Sequence, residues 1–153
     1  MSDANLATKQ HAKPAVRGVT LTDLAPDAIG SPSVETLKAI TSAFNRHDLD
    51  AIMAFFTDDA VFESPRGLDS FGRRFEGKAA VREGLAARFT GIPDVHYGDD
   101  DHFVAGDRGA SEWTLTGTTT DGARLEVRGC DLWTFRDGLV AKKDSFWKIV
   151  EQS

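Results

Sequence analysis

A single carboxylate stands in an otherwise apolar row. Leu125, Val127, Gly129, Asp131, Trp133 and Phe135 alternate with Arg124, Glu126, Arg128, Cys130, Leu132 and Thr134. Side chains of a β-strand point to alternate faces, so Asp131 is predicted to share the apolar side. A carboxyl group held there can act as a hydrogen-bond donor or general acid, because desolvation favours its neutral form. Its neighbours decide the matter. If Asp121-Gly122 is a two-residue hairpin turn, Glu112 falls opposite Asp131, with Thr114, Thr116 and Thr118 on the same face. Two adjacent carboxylates resist joint ionisation, which raises at least one pKa. On the other side, the turn from Phe135 to Leu139 leaves two registers open. A two-residue Asp137-Gly138 turn sets Asp144 opposite Asp131. A three-residue turn with Gly138 in a bulge sets Lys143 there instead, with Ser145 and Trp147 on the same face. Lys143 would depress the carboxyl pKa where Glu112 would raise it. The candidate catalytic residues are therefore Asp131, Glu112 and Lys143.

The elements that must position these groups follow from the rest of the chain. Residues 1–31 show little periodicity and read as a tail, or as an arm around a partner subunit. The folded domain is expected to span residues 32–153. Ser33 is an N-cap for a helix with Val34, Leu37, Ile40, Thr41 and Phe44 at helical spacing. Asp48 caps a second, shorter helix whose Leu49, Ile52, Met53, Phe55 and Phe56 cover more than one face. A short strand over residues 60–63 ends at Ser64-Pro65. The loop from Arg66 to Phe75 is long enough for a lid or pocket rim. A third helix carries Ala80, Val81, Leu85, Ala86 and Phe89, and the remainder reads as strands. Helices first and antiparallel strands later make an α+β pattern.

Composition narrows the partners. One domain is expected from 153 residues, and a net charge of −6 argues against nucleic acid or an anionic membrane. No apolar run reaches the ~18 residues of a membrane span, and the first residues lack a signal-sequence pattern. With a lone Cys130, a cytoplasmic protein is the expectation. His96 and His102 flank Asp99–Asp101 without metal-ligand spacing. The acidic run reads as a solvated turn, and neither metal nor cofactor is expected. Trp113, Leu115, Cys130 and Leu132 fall on the face opposite Asp131, an apolar surface suited first to a homodimer and otherwise to a third strand layer or the N-terminal arm.

The order of several short patterns resembles the nuclear transport factor 2-like superfamily, in particular its SnoaL-like and ketosteroid-isomerase-like members. These are Phe44-Asn-Arg-His-Asp48, Phe56-Thr-Asp-Asp-Ala60-Val-Phe-Glu-Ser-Pro65, Phe75-Glu-Gly77, Gly129-Cys-Asp131-Leu-Trp-Thr-Phe135, and Phe146-Trp147. The resemblance implies a cone: a curved, mainly antiparallel (mixed) sheet wrapped over three N-terminal helices, with an apolar pocket and a homodimeric assembly. It maps a protonated pocket Asp onto Asp131 and a pocket Trp onto Trp147. The family's general base falls on Ser64, its oxyanion-binding Tyr on Ile40, and the last-strand Asp of other relatives on Ser145. It therefore favours the register that turns Lys143, Ser145 and Trp147 inward. Phe44, Phe56, Ser64, Thr114, Trp133, Ser145 and Trp147 are the expected substrate-binding residues for a small hydrophobic molecule. The implied activity is a cofactor-independent isomerase, cyclase or hydrolase; a non-catalytic binding or assembly domain is the alternative.

Overall fold

The computed structural model describes residues 30–153, so the expected tail or arm lies almost wholly outside the described residues. Helix α1 (Val34–Asn45) starts at a capping box in which Ser33 and Thr36 satisfy each other's backbone N–H. Leu37, Ile40, Ala43 and Phe44 form its buried stripe. Fully burying side chains like these favours folding by about 1.5–3 kcal/mol each. Its end is pinned to the sheet. The Asn45 amide donates to Tyr97 O (3.0 Å) and accepts from Tyr97 N (2.8 Å), while His47 bonds Val95 O. Asp48 caps the five-residue α2 (Leu49–Met53), and α3 (Lys78–Gly91) buries Val81 and Leu85.

Six strands form one open sheet: β1 (Phe56–Glu63), β2 (Arg74–Glu76), β3 (His96–Ala105), β4 (Arg108–Thr118), β5 (Arg124–Arg136) and β6 (Leu139–Trp147). Their order is β2-β1-β6-β5-β4-β3; only β1 and β6 run parallel. The helices cover one face, giving the expected α+β cone. β1 is longer than its predicted span because Thr57-Asp58-Asp59 continues the strand.

Two registers differ from the sequence expectation. Ser111, not Glu112, lies opposite Asp131, because Thr118 pairs with Arg124 across a five-residue loop. A two-residue type I′ turn needs positive φ at both central residues. Here only Gly122 has it, while the Thr119 side chain accepts from Ala123 N and organises a longer loop. That slip exchanges the faces of β4. Trp113 and Leu115 enter the core, and Glu112, Thr114, Thr116 and Thr118 turn outward. In the last hairpin Asp137 (φ 53°) and Gly138 (φ 79°) do form a two-residue turn. A register shift at Ala141 then adds the extra residue, so Ser145 pairs with Asp131 and Lys143 with Trp133. The expected face is correct; the bulge sits in the strand rather than in the turn. The acidic run is likewise an irregularity inside β3, where Asp99 has φ 47°, and not a turn.

Candidate functional site

Asp131 is 5% exposed and receives three donors. Lys143 Nζ (2.7 Å) and Ser145 Oγ (2.5 Å) meet Oδ1, and the Trp113 indole N–H meets Oδ2 at 2.9 Å. Lys143 Nζ also donates to Ser145 Oγ at 2.6 Å. All four side chains come from the three central strands and point to the helical side. An indole nitrogen can only donate and an ammonium has no acceptor, so Asp131 is the acceptor of the set. Burial pushes the Lys143 ammonium below its ordinary value, while Asp131 pulls it back. The ammonium stands 4.8 Å from the centre of the Phe62 ring, and the Phe44 and Trp133 rings lie just beyond. Two of its three N–H groups are used; the third has no polar partner among the described residues.

Lys143, Ser145, Trp113 and Phe44 line a narrow cavity of about 10 Å³, room for about one water, while Asp131 stands behind them and outside its lining. Tyr97, Leu85, Phe62 and Arg88 complete its wall. Burial raises the Tyr97 phenol well above its ordinary 10.0, so it remains a neutral donor. Trp147 closes the outer end, with its ring against Trp113 on one side (6.4 Å, edge-on) and the Arg88 guanidinium at 4.4 Å. Gly129, cross-strand partner of both Trp113 and Trp147, makes this possible: a Cβ there would lie 2.4 Å from the Trp113 ring.

Four of the predicted residues (Asp131, Lys143, Ser145 and Trp147) meet at this point, with Phe44 on the wall and Trp133 next to Lys143. Four do not. Glu112 is on the outer face beside Arg128, and Thr114 shares that face and accepts from the same arginine. Phe56 is sealed in the core beneath Trp133. Ser64 is at the rim, where its hydroxyl donates to Arg66 O and ties down the following loop.

A second polar chain runs behind Trp133. Its indole N–H donates to Ser111 Oγ (2.9 Å), Ser111 meets His102 Nδ1 (2.7 Å), and His102 Nε2 meets Asp100 Oδ2 (2.7 Å). The residue types match a nucleophilic triad, yet Ser111 is 1% exposed and its hydroxyl is shared between His102 and the Trp133 indole, so the chain serves to satisfy the buried indole and hydroxyl. Among the described residues no cluster of three or more His, Cys, Asp or Glu is arranged for a metal.

The sequence pattern of the SnoaL-like domain matches residues 37–143, most of the chain. The chain belongs to the SnoaL-like domain family. No curated protein matches it in sequence. Among solved structures it is similar to a proposed polyketide cyclase of Xanthomonas campestris pv. campestris, at 22% identity over 73% of this chain and 87% of that one, with a TM-score of 0.65. TerC crystallised with polyporic acid is comparable, at 22% identity, 80% and 92% coverage, and a TM-score of 0.65. An NTF2-like protein of unknown function from Burkholderia pseudomallei K96243 gives 19% identity, 82% and 92% coverage, and a TM-score of 0.67. At these identities the likeness is one of fold.

Within this SnoaL-like domain the residue that sequence reasoning missed is Arg88. It occupies position i+7 of the stripe Val81, Leu85, Arg88 on α3, a place where an apolar side chain is expected. Tyr97 was legible only as an apolar strand residue. Ile40, at the position of the ketosteroid-isomerase Tyr, is fully buried on α1 and offers no donor.

Proposed function

We propose that this SnoaL-like protein is a cofactor-independent acid–base enzyme acting on a small, mostly hydrophobic molecule with a carbonyl, epoxide or enolisable group. One observation carries this: the Lys143 ammonium, buried among aromatic rings and held by Asp131 and Ser145, keeps one N–H free beside the cavity. In this reading Lys143 rather than Asp131 gives the proton to the substrate oxygen. Asp131 and Ser145 hold the ammonium in place, and the neutral amine left behind takes up the substrate's α-proton, or a proton of the attacking water in epoxide opening, which restores its charge. Loss of solvation makes the ammonium a readier donor than a lysine in water. Aromatic walls fit the substrate class, and so does the ligand of one similar structure, TerC with polyporic acid.

The test is α-proton exchange with deuterated water, followed by NMR over a panel of hydrophobic ketones and lactones, with epoxide opening assayed alongside. Wild type should turn over one or more members, with Lys143→Gln and Asp131→Asn slower by about 10²–10⁴-fold, the usual contribution of a positioned acid or base. Equal rates in wild type and both folded variants sink the mechanism. The second reading is a non-catalytic binding or assembly domain. The small size of the cavity favours it, since about 10 Å³ holds no more than about a water molecule. A panel that neither turns over nor raises the melting temperature would make it the better account.

A further inference from the structure

The protein is acidic overall, yet the mouth of its cone is basic. Trp147 lies between two guanidinium groups, Arg88 at 4.4 Å and Arg66 at 5.6 Å from its ring. Neither arginine is ion-paired to a carboxylate among the described residues. Two recesses open here. One, of about 490 Å³, carries Arg66, Arg124 and Lys148 around the apolar Leu125 and Val150, with Glu126 as its only acid. The other, of about 240 Å³, carries Arg66, Arg73 and Arg88 beside Phe62 and Phe75, with no acid at all. Among the described residues, Glu126 is the only carboxylate that lines either recess. Three guanidinium groups lining one recess that carries no carboxylate give it a positive potential, which attracts an anion.

We propose that this mouth binds the ionised acidic group of an aromatic acid, a carboxylate or an equally planar enolate. The inference rests on the small-molecule reading above and names the class of molecule. A guanidinium presents paired N–H donors that fit the two oxygens of a planar anion. Arg88 belongs both to this recess and to the inner cavity, so an anion held by it stands next to the space that Lys143 faces. Arg66 contributes the outer clamp, and Phe62 and Phe75 supply an apolar wall for the ring.

Calorimetric titration of the full chain with naphthoate and with methyl naphthoate tests this. Naphthoate should bind at least about tenfold tighter than its ester, since a hydrogen bond to a charged group contributes about that factor or more. Arg88→Gln should bring acid and ester within about threefold of each other, and added salt should weaken only the acid. Equal affinity for the two, an unchanged preference in Arg88→Gln, or no binding of naphthoate to wild type would each overturn the proposal. Lys143→Gln separates this from the acid–base reading. It should still prefer naphthoate while losing proton exchange; exchange that survives in Lys143→Gln condemns the mechanism and leaves the anion site intact.

Discussion

Lys143 and Asp131 form an ion pair at 2.7 Å with both side chains under a tenth exposed. Such a pair is a poor source of stability, because desolvating two charges offsets most of their attraction. Breaking it is another matter, since one charge is then left buried alone. Asp131→Leu and Lys143→Met should each cost about 3–5 kcal/mol, and the double variant should be as stable as wild type or more so by about 1–4 kcal/mol. Urea denaturation of the four proteins measures this, and a double variant no better than the singles would show that the pair is not isolated in the way described. The pH dependence has a definite sign. Burial holds the Lys143 ammonium below its ordinary 10.5, so over the interval below 10.5 the folded chain binds fewer protons than the unfolded one. Stability contributed by this group therefore grows as pH rises toward 10.5 and is lost as pH falls through the lowered value. Wild type should gain on the double variant between that lowered value and 10.5.

At the scale of elements, β5 is the rail on which the site is assembled. Gly129 leaves room for the Trp113 indole to cross the strand and reach Asp131, with a Cβ at that position meeting the ring at 2.4 Å and Phe146 O at 2.5 Å. Gly129→Ala should destabilise the fold by about 1–3 kcal/mol, as overpacking does, and should shift the tryptophan fluorescence as Trp113 loses its bond. Unchanged emission and stability would mean that the sheet yields there instead. The row containing Gly129 and Asp131 was legible from alternation alone, because β5 is long and its two faces differ in polarity. β4 alternates as well, with Trp113 and Leu115 in one row and Glu112 and three threonines in the other, but its face was set by counting through the turn instead. Its face hinged on the length of one loop, and Asp-Gly does not distinguish a two-residue turn from the loop that Thr119 builds. Lys143, Ser145 and Trp147 were placed on the correct face because either kind of bulge adds one residue. Arg88 was hidden for the opposite reason, a charged residue in a stripe read for its apolar members.

The slip in β4 changes what the molecule as a whole presents to a partner. Trp113 and Leu115 were expected on the dimer face and are core residues, which leaves Cys130 and Leu132 of the original set. Phe146 (50% exposed) and Phe103 (61%) now join them on the outer side of the sheet. At one edge of that face Glu63, only 2% exposed, lies against the ammonium of Lys142 and near Arg74. Glu63 Oε1 makes no well-directed hydrogen bond despite the Lys142 contact, so the attraction there is between charges rather than along a bond. Its carboxylate neighbour Asp144 is raised by burial and by Glu63 itself. An apolar strip bordered by charged residues is the usual make-up of a homodimer surface. The homodimer expected from the sequence, if it forms through this face, should use Leu132, Phe146 and Phe103. Light scattering at about 10 µM, in the micromolar range where interfaces of ordinary size associate, should give roughly twice the 16.6 kDa of one chain. Leu132→Glu should return the single-chain mass without lowering the melting temperature of the isolated fold, because that side chain is only half-buried in one copy. A wild type that scatters as 16.6 kDa at every concentration removes the dimer, and leaves the strip as a surface for some other chain.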